Sequence, residues 1–156
     1  VHLVTFDPAS AEVVYIDKVE SAQPVRMHSR IGSRQPAHCT AVGKVFLAHA
    51  AEEIVEKVIA SGLPSRTDRT ITSPQRLRTE LGTVRLQGYA VDDIENEPDI
   101  RCVAAPVFDH GGTVVTAVSV SGPASRVTRE RTAELAALLL ESTAEISRGL
   151  GASVQV

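Results

Sequence analysis

Two cysteines in 156 residues, Cys39 and Cys102, are too few to staple a fold of this size. Without a disulfide framework, a reduced, cytoplasmic setting is expected. No apolar run approaches the ~18 residues that a membrane-spanning helix requires, so no membrane partner is expected. Positive charge is missing too. The net charge is -3, whereas a surface that grips duplex phosphates clusters Lys and Arg. The nearest approach to a basic run, Arg26, Arg30 and Arg34, is interrupted by Ser and Gly, with Pro on either side, and reads as a solvated loop. Motifs for metal or nucleophilic chemistry are also absent. There is no Cys-x-x-Cys and no His-x-x-x-His, and His38, Cys39 and Cys102 stand in no nucleophile motif. A metal would have to gather His38 with Cys39 or Cys102 through tertiary structure alone. No metal, cofactor or catalytic residue is expected, and His110, in a Gly-rich turn, reads as exposed.

What is present is an ordinary globular composition, 43% hydrophobic and 22% charged, at a length that suits one domain spanning residues 1–156. The chain begins with Val1, already inside an alternating segment, which reads as a start in mid-protein with a domain upstream. His2–Phe6 and Glu12–Val19 carry β-branched and aromatic residues around Asp7-Pro8-Ala9-Ser10 and predict a hairpin. Val25–Ser29 suggests a third strand, and residues 30–39 a loop. Thr40 is a plausible cap for a helix bearing Val42, Val45, Phe46 and His49. A second helix over about Ala51–Ala60 stops at Gly62 and Pro64. Ser73-Pro74 opens a third with an apolar stripe of Leu77, Leu81 and Val84, ended by Gly88. Tyr89–Asp92, Arg101–Phe108 and Thr113–Ser121 then read as strands, the last two joined by a tight turn over 109–112. Thr128 caps a long final helix whose Leu135, Leu138, Leu139, Ile146 and Leu150 share a face. Strands, helices, strands and a helix in that order imply an α+β fold with a largely antiparallel sheet of about six strands flanked by helices.

Two groups of residues have the character of a site. At Pro36–Lys44 a helix start presents unpaired amides and the positive end of its dipole, and small Ala41 and Gly43 allow close approach. That is a seat for a carboxylate; equally, the small residues can serve only tight packing. The second group is Asp92, Cys102, Ser119 and Ser121. Alternation puts Ser119 and Ser121 on one face of an apolar strand, with Val118 and Val120 on the other. Two such hydroxyls are either filler on a solvent face or the polar floor of a pocket. Asp92-Asp93 likewise reads either as part of that pocket or as a solvated strand end.

These residues resemble the effector-binding domain of the isocitrate lyase regulator (IclR) family of bacterial transcription factors. The resemblance runs through Gly32, Pro36-x-His38-x-Thr40-Ala41-x-Gly43-Lys44, Thr67 and Thr70-Ile71-Thr72. It continues in Gly88-Tyr89-Ala90-x-Asp92-Asp93-x-Glu95, Cys102-x-Ala104-Ala105-Pro106-Val107-Phe108-Asp109, Ser119-x-Ser121-Gly122-Pro123, Ile146-Ser147 and Leu150-Gly151. It implies a GAF- and profilin-like fold with a small-molecule pocket on the sheet. It also implies an N-terminal winged helix-turn-helix outside this chain, through which alone DNA is bound, and assembly into homodimers or homotetramers. The implied effector is a carboxylic acid held by backbone at Ala41-Val42, with side chains of Asp92, Cys102, Ser119 and Ser121 completing the site. Met27, Gln35 and Ile100 are implied walls. Gln35 stands where the family commonly has an apolar residue, and Asp99 where it has Gly, so the Glu95–Ile100 turn is expected to differ in shape. Two rival readings are a GAF-like sensor of another signalling protein and a small hydrolase using Cys39 or Cys102 with His38.

Overall fold

A computed structural model of the chain describes residues 1–22 and 29–153. The strand expected over Val25–Ser29 falls almost wholly outside the described residues, and Met27 lies outside them. β1 (His2–Asp7) and β2 (Glu12–Lys18) form the expected hairpin. Its turn is organised by Asp7, whose carboxylate accepts from the Ala9 amide and the Ser10 hydroxyl, each at 3.0 Å. Where a loop was expected over 30–39, β3 (Arg34–Pro36) pairs with Glu12–Val14. A strand of three residues carries no periodic pattern, and it forms because β2 offers an open edge. Pro36, which has no N–H to donate, is tolerated at such an edge.

Three helices follow: α1 (Ala41–His49), α2 (Glu52–Ala60) and α3 (Pro74–Gln87). Thr40 caps α1 by accepting from the Gly43 amide, and Ser73 caps α3 by accepting from that of Arg76. Gly88 ends α3 in the left-handed conformation at φ 82°, and Arg78 ties α3 to α2 through Glu52 and Glu56. β4 (Ala90–Asp93), β5 (Ile100–Phe108) and β6 (Val114–Pro123) complete the sheet, and α4 (Arg129–Gly149) closes the chain behind its Thr128 cap. The six strands run in the order β3-β2-β1-β6-β5-β4, and every pair is antiparallel.

Each face of this sheet has its own core. Val4, Val13, Ala90, Ala104 and Ala117 meet α1 and its neighbours α2 and α3 on one side. Val103 and Ala105, with Val91, Val118 and Val120 beside them, meet Ala136 and Leu139 of α4 on the other. Helix α1 is covered on all sides, Ala41 through Ala48 all being buried. The face expected for α4 holds for Leu139, which is buried, and Leu135, which packs on the core, but not for the rest. Its buried positions are Ala136, Leu139, Thr143 and Ser147, while Leu138, Ile146 and Leu150 are exposed. Sheet contact selects the turn of the helix that carries smaller side chains, which hydrophobicity alone does not reveal. Thr143 and Ser147 can be buried there because Ser147 donates to the Thr143 carbonyl and accepts from the Phe108 amide.

Candidate functional site

The register of the sheet builds the site. Asp92 is opposite Cys102 and Cys102 is opposite Ser121, so the three form a row across β4, β5 and β6. One row along, Ala104 is opposite Ser119, which in turn is opposite His2 of β1. Both rows lie on the face covered by α1. Ser119 is only 3% exposed, so the solvent-filler reading fails for it. The start of α1 closes over these rows. Between them lies a cavity of about 20 Å³ lined by Ala41, Val42, Asp92, Ile100, Cys102, Ser119 and Ser121, together with Tyr15, Thr40, Asn96 and Glu97. That is room for about one water molecule. Gln35 is not among the lining residues; it lies on β3 opposite Val13.

At the helix start, the Thr40 hydroxyl accepts from the Gly43 amide at 3.2 Å and donates to the Pro36 carbonyl at 2.8 Å. Among the described residues no acceptor meets the Ala41 or Val42 amide, which is the ordinary state of a helix's first N–H groups. The tight-packing reading accounts for Gly43: a Cβ there would stand 2.2 Å from the Ala37 carbonyl oxygen. Ala41 instead borders the cavity.

Burial sets the electrostatics. Asp92, 2% exposed, is pushed up to about 7 by desolvation, against the opposing pull of the Glu95 and Asn96 amides, which donate to it at 2.6 and 3.3 Å. The solvated-end reading therefore fails for Asp92. Asp93 points elsewhere and pairs with Arg101, Arg129 and Arg69 at 2.6, 2.7 and 3.2 Å. His2, desolvated and close to the N-terminal amine and Lys18, is held down to about 4 and is neutral at pH 7. Its ring stands edge-on to Tyr15 at 5.0 Å, and its Nδ1 is 3.5 Å from the Ser121 hydroxyl. Among the described residues no Lys or Arg lines the cavity.

Burial and the charge of Asp92 push both thiols up, Cys39 to about 12. Cys39 donates to Asn96 at 3.5 Å, while His38 contacts the Pro64 carbonyl at 3.0 Å. Among the described residues no imidazole is hydrogen-bonded to that thiol to take its proton. Among the described residues no three His, Cys, Asp or Glu side chains gather as a metal would require.

The turn after β4 is held from beneath. Lys44, wholly buried, donates to Glu95 at 2.7 Å, Glu80 at 2.8 Å and the Val91 carbonyl at 2.6 Å. The hydroxyls of Thr67 and Thr70 donate to the carbonyls of Ile94 and Glu95, at 2.6 and 2.7 Å. Ile94 (φ 63°) and Asp99 (φ 61°) both adopt the left-handed region, unusual for a β-branched side chain and more tolerable for Asp. Residues that sequence reasoning missed, His2, Tyr15, Asn96 and Glu97, come from the first hairpin and from this turn. The Asx-like grip of Asp92 on the next amides was the one local signal for the turn pair. Nothing local marked the hairpin residues, because only the β1–β6 pairing brings them here.

A small cavity with a polar floor, roofed by a helix start, has the form of a ligand-sensing sheet domain. Residues 1–148 match the family model described as "Bacterial transcriptional regulator IclR C-terminal". The chain belongs to the IclR family of bacterial transcriptional regulators, as their C-terminal, effector-binding domain. It is 41% identical over 152 residues to the HTH-type transcriptional regulator KdgR of Escherichia coli (strain K12), an alignment covering 97% of this chain and 57% of that protein. It thus spans little more than half the length of this relative. The crystal structure of Thermotoga maritima IclR superposes with a TM-score of 0.89 at 44% identity, covering 96% of this chain and 60% of that one. A double mutant of the Acinetobacter PobR inducer-binding domain, crystallised with 3-hydroxybenzoic acid, superposes with a TM-score of 0.82 at 28% identity, covering 94% and 86%. The fold is accordingly the GAF- and profilin-like one of this family. Among the described residues no helix is long and apolar enough to cross a membrane.

Proposed function

We propose that the chain senses a small carboxylic acid at the cavity beneath α1 and reports its presence to a DNA-binding domain of the same protein. The observation that carries this reading is the meeting of two bare amides, Ala41 and Val42, with Asp92, Cys102, Ser119 and Ser121 across one enclosed space. The acid's anionic end rests on the helix start, and the serine hydroxyls orient it. Among the described residues no cation lines the site, so an acid bound there favours protonated Asp92, and a pKa near 7 makes that inexpensive. Ligand binding then takes up a proton. Affinity for an organic acid falls as pH rises above about 7, by up to tenfold per pH unit.

The cavity is too narrow for an acid without movement of the 94–99 turn and Ile100. A ligand that fits only the widened form shifts the population toward it, whereas equal affinity for both forms would shift nothing. That PobR's domain was crystallised with an aromatic acid supports the ligand class. We further propose that the DNA reader is an N-terminal winged helix-turn-helix and that the regulator works in the cytoplasm as a homodimer or homotetramer. Exposed Leu138, Ile146 and Leu150 on α4 support assembly. The role is non-catalytic; in support, both thiols are held protonated without a base. A thermal-shift panel of organic acids tests the site. A binder at ~100 times its Kd adds about 2.7 kcal/mol of stability. If every acid that binds keeps its affinity in Ser119→Ala combined with Ser121→Ala, the proposed location is refuted.

A further inference from the structure

The first site lies at the start of α1; a much larger cleft opens at the helix's other end. It spans about 650 Å³ between the ends of α1 and α3, the β5–β6 turn, the C-terminal half of α4 and Ala152-Ser153 just beyond it, within the roughly 300–1,000 Å³ typical of small-molecule pockets. Most polar groups around it are already engaged. Asp109 accepts from the Gly111 and Thr113 amides at 2.8 and 2.9 Å. Ser147 is taken by Thr143 and Phe108. Two groups are not. Nε2 of His49 is buried with no hydrogen-bond partner among the described residues. Arg85, which also lines the cleft, spends its Nε on the Ala48 carbonyl and has no carboxylate partner among the described residues. That contact places the guanidinium beside His49, whose ring meets Phe108 edge-on at 5.2 Å. Desolvation, reinforced by Arg85, holds His49 below its ordinary value, so at pH 7 it is neutral and presents either an N–H or a lone pair. Phe108, Leu140 and Ala144 supply apolar wall.

We propose that this cleft is a second ligand site, separate from the one beneath the start of α1, which takes a carboxylic acid with an apolar body. The carboxylate bridges the Arg85 guanidinium and the His49 Nε2–H, and the apolar body covers Phe108, Leu140 and Ala144. A buried unmet ring nitrogen next to an unpaired guanidinium is completed by an acceptor of negative charge, and by neither a cation nor a hydrocarbon. The test is a titration of the labelled 156-residue chain with 3-phenylpropionate, followed by amide and imidazole NMR. Shifts are expected at Gly88, Gly111, Gly112 and Ala144 and at the His49 ring nitrogens. Affinity should fall about tenfold or more for neutral 3-phenylpropan-1-ol or in Arg85→Gln, a substitution at an exposed position that leaves the core intact. It should be unchanged in Ser119→Ala with Ser121→Ala. Shifts confined to Ala41, Val42 and the serine rows, equal affinity in Arg85→Gln, or no shifts at millimolar ligand would each overturn the second site without touching the first.

Discussion

Asp92→Asn tests whether the cavity beneath the start of α1 is closed to water. The carboxyl sits near 7 in the fold against 3.8 in the open chain, a gap equivalent to about 4 kcal/mol. Because the folded state binds this proton more tightly than the unfolded one, the stabilisation is full below about pH 4 and disappears as pH rises through 7. His2 works in the opposite direction. Held at about 4 against 6.5, it contributes stability that is present above about pH 6.5 and lost as pH falls through 4. The two slopes oppose each other between those values, so the wild-type profile alone is uninformative and the difference from the variant is what isolates Asp92. An asparagine keeps the oxygen that accepts from the Glu95 and Asn96 amides but cannot ionise. Urea unfolding of both proteins from pH 5 to pH 8 should show the variant gaining on wild type by about 2–3 kcal/mol across that span. A difference that stays flat would mean that Asp92 titrates like a solvated carboxylate, and the enclosed polar floor would be wrong.

Further substitutions probe the scaffold. Gly43→Ala drives a methyl into the Ala37 backbone at 2.2 Å, so it should cost more than about 3 kcal/mol or prevent folding, seen as a loss of cooperative unfolding. Lys44→Met leaves Glu95 buried without its cation and should cost about 3–5 kcal/mol; a loss under 1 kcal/mol by denaturant titration would contradict the buried triad. Asp99→Gly relieves a left-handed side chain and should be neutral or stabilising by up to about 1 kcal/mol; marked destabilisation would show that the turn needs the Asp side chain.

Short-range chemistry was legible. Caps at Thr40, Ser73 and Thr128, the left-handed stop at Gly88 and strand alternation all act within a few residues, and each predicted element among the described residues stands where those signals fell. Candidate residues from both groups meet at one cavity because alternation already put Ser119 and Ser121 on one face. The failures have a common origin in distance along the chain. β3 exists because β2 has an open edge, and the face α4 buries was chosen by the sheet beneath it. Gln35, a wall implied by the family resemblance, sits on β3 at the edge of the sheet.

Local pattern by itself thus determined which segments coil, which extend, and which side chains share a face of a strand, since hydrogen-bonding geometry and side-chain periodicity are set within one turn or one pleat. Tertiary structure alone decided that the first strand lies beside the last, setting His2 and Tyr15 next to Ser119 and Ser121. It alone buried Asp92 deeply enough to hold a proton near neutrality, and set the partnerless Nε2 of His49 beside Arg85, which among the described residues has no carboxylate partner, at the other end of α1. Desolvation depends on everything that surrounds a group, and no window of sequence contains those surroundings.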